Sequence, residues 1–143
     1  MTFSDIAKNV IRARENFSAP EAFKLRERAD TSTMAGKKIT IDEIYVVSKV
    51  KYDSETKEPI LKKDGTPVFQ QYVYVGFDND KFFQTKSMIL LEQLEMLYGQ
   101  TLKVNEVKEI KVDIPANTPV VVGTEKVRYA DKKLYDQIIF KDN

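Results

Sequence analysis

Tyrosines at alternate positions of one strand, with a lysine on the strand that follows, form the pattern in this sequence best suited to chemistry. In QQYVYVGF, residues 70 to 77, Tyr72 and Tyr74 alternate with Val73, Val75 and Phe77, and DND at 78 to 80 separates them from KFFQTK. A three-residue turn sets Val75 opposite Phe83, Gly76 opposite Phe82, Tyr74 opposite Gln84 and Tyr72 opposite Lys86. A two-residue turn would instead bury the Gln84 amide against Val75. One face is then Val73, Val75, Phe77, Phe83 and Thr85; the other is Tyr72, Tyr74, Phe82, Gln84 and Lys86. Rings on a strand surface offer each base a π-face, worth roughly 1 to 3 kcal/mol per base, and interleaved lysines neutralise phosphates. The same rings equally suit burial beneath a second layer or the N-terminal arm.

Basic residues in two loops flank this face. Lys57, Lys62 and Lys63 belong to DSETKEPILKKDGTPV, a long loop or protruding hairpin with Asp64-Gly65 as its turn signal. Arg128, Tyr129, Lys132, Lys133 and Tyr135 belong to KVRYADKKLYDQIIF, a hairpin turning at Ala130 to Lys133. Lys49 and Lys51 lie on the margin of the face. Each lysine alone is an ordinary solvated charge, and Asp53, Glu55, Glu58 and Asp64 dilute the first loop.

Other chemistry finds little support. The chain has no histidine and no cysteine, which removes the commonest general base, a thiolate metal site and any disulfide framework. No Gly-rich phosphate loop, hydrolase elbow or carboxylate pair of obvious geometry occurs. DND lacks the glycine and distal glutamate of a calcium loop and reads as a turn. The expectation is a protein that is not an enzyme and needs no cofactor or metal.

The chain has 143 residues, enough for one domain with a core, and 23 basic against 22 acidic residues leave a net charge of +1. A basic surface must therefore be local. No apolar run approaches the roughly 20 residues of a membrane span, and MTFSDIAKNV lacks an apolar signal segment. A cytoplasmic protein without a membrane partner is expected.

Residues 1 to 35 form an arm, partly helical or disordered. Ser4 can cap a segment with Ile6, Val10 and Phe17 as a loose apolar stripe, and Ser18-x-x-Glu21 with Pro20 reads as a capping box for EAFKLRERA. The arm's Arg12, Arg14, Lys24, Arg26 and Arg28 suit solvation, or contact with phosphates or a partner. DTSTMAGKK, residues 30 to 38, reads as a linker.

From Ile39 the pattern turns to strands. Ile39 and Ile41 are odd, whereas Ile44, Val46, Val50 and Tyr52 are even, so a bulge near Asp42 and Glu43 is needed to keep one face inward. A long strand bent in its middle is what a small barrel requires. After KFFQTK, Ser87 caps MILLEQLEMLY, with Leu90, Leu91, Leu94, Leu97 and Tyr98 at helical spacing and Gly99 as the stop. TLKVNEVKEIKVDI, TPVVVG and the last hairpin supply further strands. The order implies a mainly β domain over residues 36 to 143: an OB-fold, that is, a five-stranded Greek-key β-barrel with its helix between strands three and four. The binding surface of that fold is the face of strands two and three with their flanking loops.

With SDIAKNVIRARENF and KLRERAD in the arm, GKKITIDEIYVV opening the barrel, and DKFFQTKSMILLEQLE running into the helix, the chain resembles the small OB-fold single-stranded DNA-binding proteins of phages and integrated elements of Gram-positive bacteria. The resemblance covers most of the chain. It implies sequence-tolerant, non-catalytic binding of single-stranded DNA during replication or recombination, as a homo-oligomer working beside replication or recombination proteins. The ending IIFKDN differs from the long acidic tail of bacterial housekeeping single-strand binders. On this reading Tyr72, Tyr74 and Phe82 stack bases and Lys86 and Lys49 meet phosphates, with Gln84, Lys51, Lys62 and Lys63 alongside. Arg128, Tyr129, Lys132 and Tyr135 close from the last hairpin. Two alternatives stand beside it: a phage structural or assembly protein using the same aromatic face between subunits, and a module binding a host protein.

Overall fold

A computed structural model describes all 143 residues. Helix α1 (Phe3–Glu15) leads through a single turn at Glu21–Phe23 to a short strand β1 (Glu27–Arg28). Strands β2 (Lys38–Val50), β3 (Phe69–Phe77) and β4 (Lys81–Thr85) precede helix α2 (Met88–Tyr98). Strands β5 (Lys108–Lys111), β6 (Thr118–Arg128) and β7 (Leu134–Lys141) complete the chain. All seven strands join one sheet in the order β1-β4-β3-β2-β6-β7, with β5 also paired to β2. The result is a mainly β chain with two helices, its sheet curled but open.

The bend of β2 follows from its phase change. The register against β3 shifts between Ile41 and Glu43, leaving Asp42 as the extra residue. Ile39, Ile41, Ile44 and Val46 consequently all point into the main core. Beyond the bulge β2 also changes neighbours, pairing with β6 through Lys38–Ile41 and with β5 through Tyr45–Ser48. The sheet holds seven strands rather than five because β1 and β5 are added to it. Its two path ends, β1 and β7, share no strand ladder.

The β3–β4 hairpin has the expected register, with Tyr74 opposite Gln84, Val75 opposite Phe83 and Gly76 opposite Phe82. Asp78 and Asn79 take positive φ in its turn, and the Asp78 carboxylate accepts from the Thr40 amide. Val73, Val75, Phe77 and Phe83 are buried in the main core together with Leu90, Leu91 and Leu94 of α2. Ser87 caps that helix by accepting from the Leu90 amide, and Gly99 ends it at φ +65°. Leu97, expected in the core, is instead 67% exposed. It sits at the mouth of a groove between α2 and β6.

The arm differs most from expectation. Thr2, not Ser4, caps α1, through a capping box with Asp5. Ser18 and Glu21 nucleate no helix; only the turn at Glu21–Phe23 forms, and it has no side-chain cap. The chain there goes extended because β1 lies parallel along β4, with the Glu27 amide donating to Asp80 and the Ala29 amide to Phe82. Helix α1 buries none of its residues. From Asn16 onward, however, the arm is integral: Ala19 and Phe23 are buried on the outer side of the sheet, and Met34 lies in the main core.

Candidate nucleic-acid interface

The outer face of β2, β3 and β4 divides into a covered half and an open half. On the covered half Tyr74 is 1% exposed and Phe82 is fully buried, beneath Ala19 and Phe23 of the arm. Phe23 stacks on Phe82 at 5.4 Å with 20° between the rings, and meets Tyr45 edge-on at 5.3 Å. Tyr74 and Phe82 are therefore on the face assigned to them, but a ring from the same chain already occupies the position a base would take.

Charge fastens this cover. The Arg26 guanidinium lies 4.9 Å above the Phe23 ring, pairs with the Asp42 carboxylate at 2.8 Å and donates to the Lys81 carbonyl at 3.1 Å. Asp42 is the bulge residue of β2, so the device that bends the strand also presents the anchor. Asn16 donates to the Lys24 and Arg26 carbonyls, Arg12 to the Leu25 carbonyl and Lys24 to the Phe17 carbonyl. These arm cations hold the arm's own backbone. Gly76 of β3 makes the seat: a Cβ there would stand 2.8 Å from the Phe23 ring and from the Arg26 guanidinium. Gly76→Ala is expected to cost about 1–3 kcal/mol through overpacking, read as a lowered midpoint of urea unfolding.

Burial also acts on Tyr74, whose hydroxyl donates to the Ser18 carbonyl at 3.3 Å. Desolvation raises its pKa above the ordinary value of 10.0. The folded state thus favours the neutral phenol. This contribution is full below the unfolded tyrosine value and is lost as pH rises through the folded one. Stability is expected to fall above about pH 10, and Tyr74→Phe should flatten that alkaline slope in denaturation series.

The open half carries the remaining candidates. Tyr72 is partly buried, with the ammonium of Lys86 at 5.6 Å and that of Lys49 at 5.8 Å from its ring centroid. Lys49, Lys51, Tyr52, Gln70, Tyr72 and Lys86 line one groove. None of its three lysines is in an ion pair. Gln84 accepts from Arg28 at 2.6 Å, which brings a further cation of the arm beside the groove. Tyr52 and Gln70 are not among the sequence candidates, and Arg28 is there only as one of several arm cations suited to solvation, phosphates or a partner. The period-two pattern extended backward along β3 gives Gln70, whereas Arg28 is placed only by the pairing of β1.

The two loops contribute less than expected. Lys62 and Lys63 sit on the exposed excursion between β2 and β3, where Leu61 bridges Pro67 and Gly65 turns at φ +86°. They do not line the groove. At the β6–β7 tip Arg128 donates to the Lys132 carbonyl, Tyr129 meets Tyr135 at 5.2 Å, and Tyr135 donates to Asp131. Arg128, Tyr129, Lys132 and Tyr135 thus engage one another, and none lines the Tyr72 groove. What approaches Lys86 is the β7 strand of that hairpin, through Asp136 and Gln137, across a recess shared with Gln84.

The arrangement defines a mainly β chain with a half-covered aromatic face and an open groove of two tyrosines and three lysines. Compared with protein families, curated proteins and solved structures, the chain finds no match. No helix is long and apolar enough to cross a membrane.

Proposed function

We propose that this chain is a non-catalytic, sequence-tolerant single-stranded DNA-binding protein of a phage or mobile element, acting in replication or recombination on an OB-type barrel. The observation that carries the reading is Tyr72 between the ammonium groups of Lys49 and Lys86, with Tyr52 and Lys51 along the same groove. A ring that can stack a base beside unpaired cations that can meet phosphates is the minimal unit of such binding. The OB-type reading draws support from the bent β2, which pairs with β6 before its bulge and with β5 after it, and from α2 following β4. Only the open half of the face takes part, so the bound strand runs over Tyr72 and Tyr52 rather than over Tyr74 and Phe82.

The test is a titration with oligo-dT followed by tyrosine fluorescence, the chain having no tryptophan. Quenching is expected, with a salt slope near −2 if the three lysines each neutralise a phosphate, or roughly 20-fold weaker binding on a fourfold rise in salt. No binding at micromolar protein in low salt would sink the proposal. A structural or assembly protein is the second reading, in which the open part of the same aromatic face, Tyr72 and Tyr52, meets another subunit. It requires that replacing Tyr72 change assembly and leave DNA affinity alone.

A further inference from the structure

The recess between β4 and β7 belongs neither to the core nor to the Tyr72 groove. Strand β1 runs beside β4 only at Lys81 and Phe82, so the rest of β4 has no strand on its outer side. Across that gap lies β7, and the two sides meet where the Ser87 hydroxyl donates to the Ile138 carbonyl at 2.6 Å. The opening left beside this contact has a volume of about 440 Å³ and is walled by Thr31, Gln84, Lys86, Ser87, Asp136 and Gln137. Small-molecule sites span roughly 300–1,000 Å³, so a group of nucleotide size has room. Lys86 belongs both to this recess and to the Tyr72 groove. A strand lying on Tyr72 therefore meets the mouth of the recess at Lys86.

Two of the lining residues are carboxamides whose orientations are fixed. Gln84 Oε1 accepts from Arg28 at 2.6 Å, and Gln137 Oε1 accepts from the Met88 amide at 3.2 Å. A guanidinium and a backbone N–H can only donate, so each glutamine spends its oxygen and keeps its NH2 group. The Gln84 NH2 has no partner in the chain, and that of Gln137 has only the Asp136 carbonyl at 3.4 Å. Lys86 adds an ammonium in no ion pair, and Asp136 a carboxylate in none. A phosphate in the recess would lie against that carboxylate, where like charges repel. A base is neutral and carries carbonyl or ring-nitrogen acceptors whatever its identity, so it can take the amide protons without that repulsion.

We propose that the recess is a second nucleotide subsite, in which a base of the strand that crosses Tyr72 accepts hydrogen bonds from the NH2 groups of Gln84 and Gln137. Its phosphate stays outside, at Lys86. The inference rests on the DNA-binding reading above and extends it, since the strand leaves the sheet face at Lys86 and sends its next base between β4 and β7. Recognition through acceptors that all four bases possess keeps the binding sequence-tolerant.

Nuclear magnetic resonance of the isotope-labelled full chain tests it through the glutamine side-chain NH2 signals. The chain is titrated with oligo-dT and, separately, with an abasic oligomer of equal length that has the same phosphates and no bases. Oligo-dT should shift the Gln84 and Gln137 signals. The abasic oligomer, at concentrations where shifts around Lys49 show it bound, should leave them in place. Gln84→Met should weaken oligo-dT binding about 2- to 12-fold, the measure of one hydrogen bond, and keep the salt slope because no charge is removed. Circular dichroism checks that this variant folds. Equal shifts with both oligomers would overturn the proposal, because a phosphate then fills the recess. Glutamine signals that stay put while oligo-dT quenches tyrosine fluorescence would also overturn it and leave the groove reading intact, whereas no binding of oligo-dT removes both.

Discussion

Replacing Phe23 by alanine is expected to cost the fold about 3–5 kcal/mol, the range for removing a fully buried aromatic side chain. Phe23 lies in a stretch that reads as surface helix, yet it is wholly buried. Its loss opens a cavity over Tyr74 and Phe82 and takes away the ring beneath Arg26, so three kinds of contact go at once. Arg26 then keeps its carboxylate partner Asp42 but loses the surface it lies on. Urea unfolding measures the effect as a lower midpoint. A loss below about 1 kcal/mol, typical of surface changes, would mean that the arm lies loosely on the sheet.

Tyr72→Ala is expected to weaken oligo-dT binding by about 1–3 kcal/mol, roughly 5- to 150-fold, the measure of one stacked base. The neighbouring lysines act differently. Lys49→Ala and Lys86→Ala should each flatten the salt slope by about 0.7, one phosphate apiece on a single strand. Tyr74→Ala supplies the contrast, since a ring buried under Phe23 should report in stability and leave the salt dependence unmoved. Equal affinity losses from Tyr72→Ala and Tyr74→Ala would mean that the arm leaves the face when DNA arrives, contrary to the open-half reading.

The sequence carried the internal geometry of the sheet well. Asp78-Asn79-Asp80 and the cost of burying Gln84 were enough to set β3 against β4. The odd-to-even change between Ile41 and Ile44 located the bulge, and Ser87 with Gly99 bounded α2. These features are local, each decided by residues within a few positions of one another. What covers the outer face is decided at long range. Periodicity assigns Tyr74 and Phe82 to a face but is silent about the neighbour on it, and Phe23 belongs to no periodic segment of its own.

The caps around EAFKLRERA favour a helix, but only when tertiary contacts are left out. Burying Phe23 and running Glu27 and Arg28 along β4 outweigh that preference, as packing commonly outweighs intrinsic propensity. Gly76 was the overlooked signal: a glycine inside an otherwise β-branched and aromatic strand marks a close approach, here by the arm. The β6–β7 hairpin was recognised as such, but its tip residues satisfy one another and reach no further.

The curl of the sheet ends where β7 meets α2, and side chains do there what a strand would otherwise do. The Gln93 amide donates to the Phe140 carbonyl and accepts from its N–H, while the Ser87 hydroxyl donates to the Ile138 carbonyl. One glutamine thus stands in for a length of missing backbone and keeps part of the β7 edge from recruiting a foreign strand. A join made of side chains yields more readily than a ladder, because each of its bonds can break without its neighbours. The Phe140 amide should therefore exchange its hydrogen faster than the amides paired between β2 and β3. The β7 margin is then sewn to α2 rather than woven into a further strand, and strand and helix can part there without the sheet losing a strand.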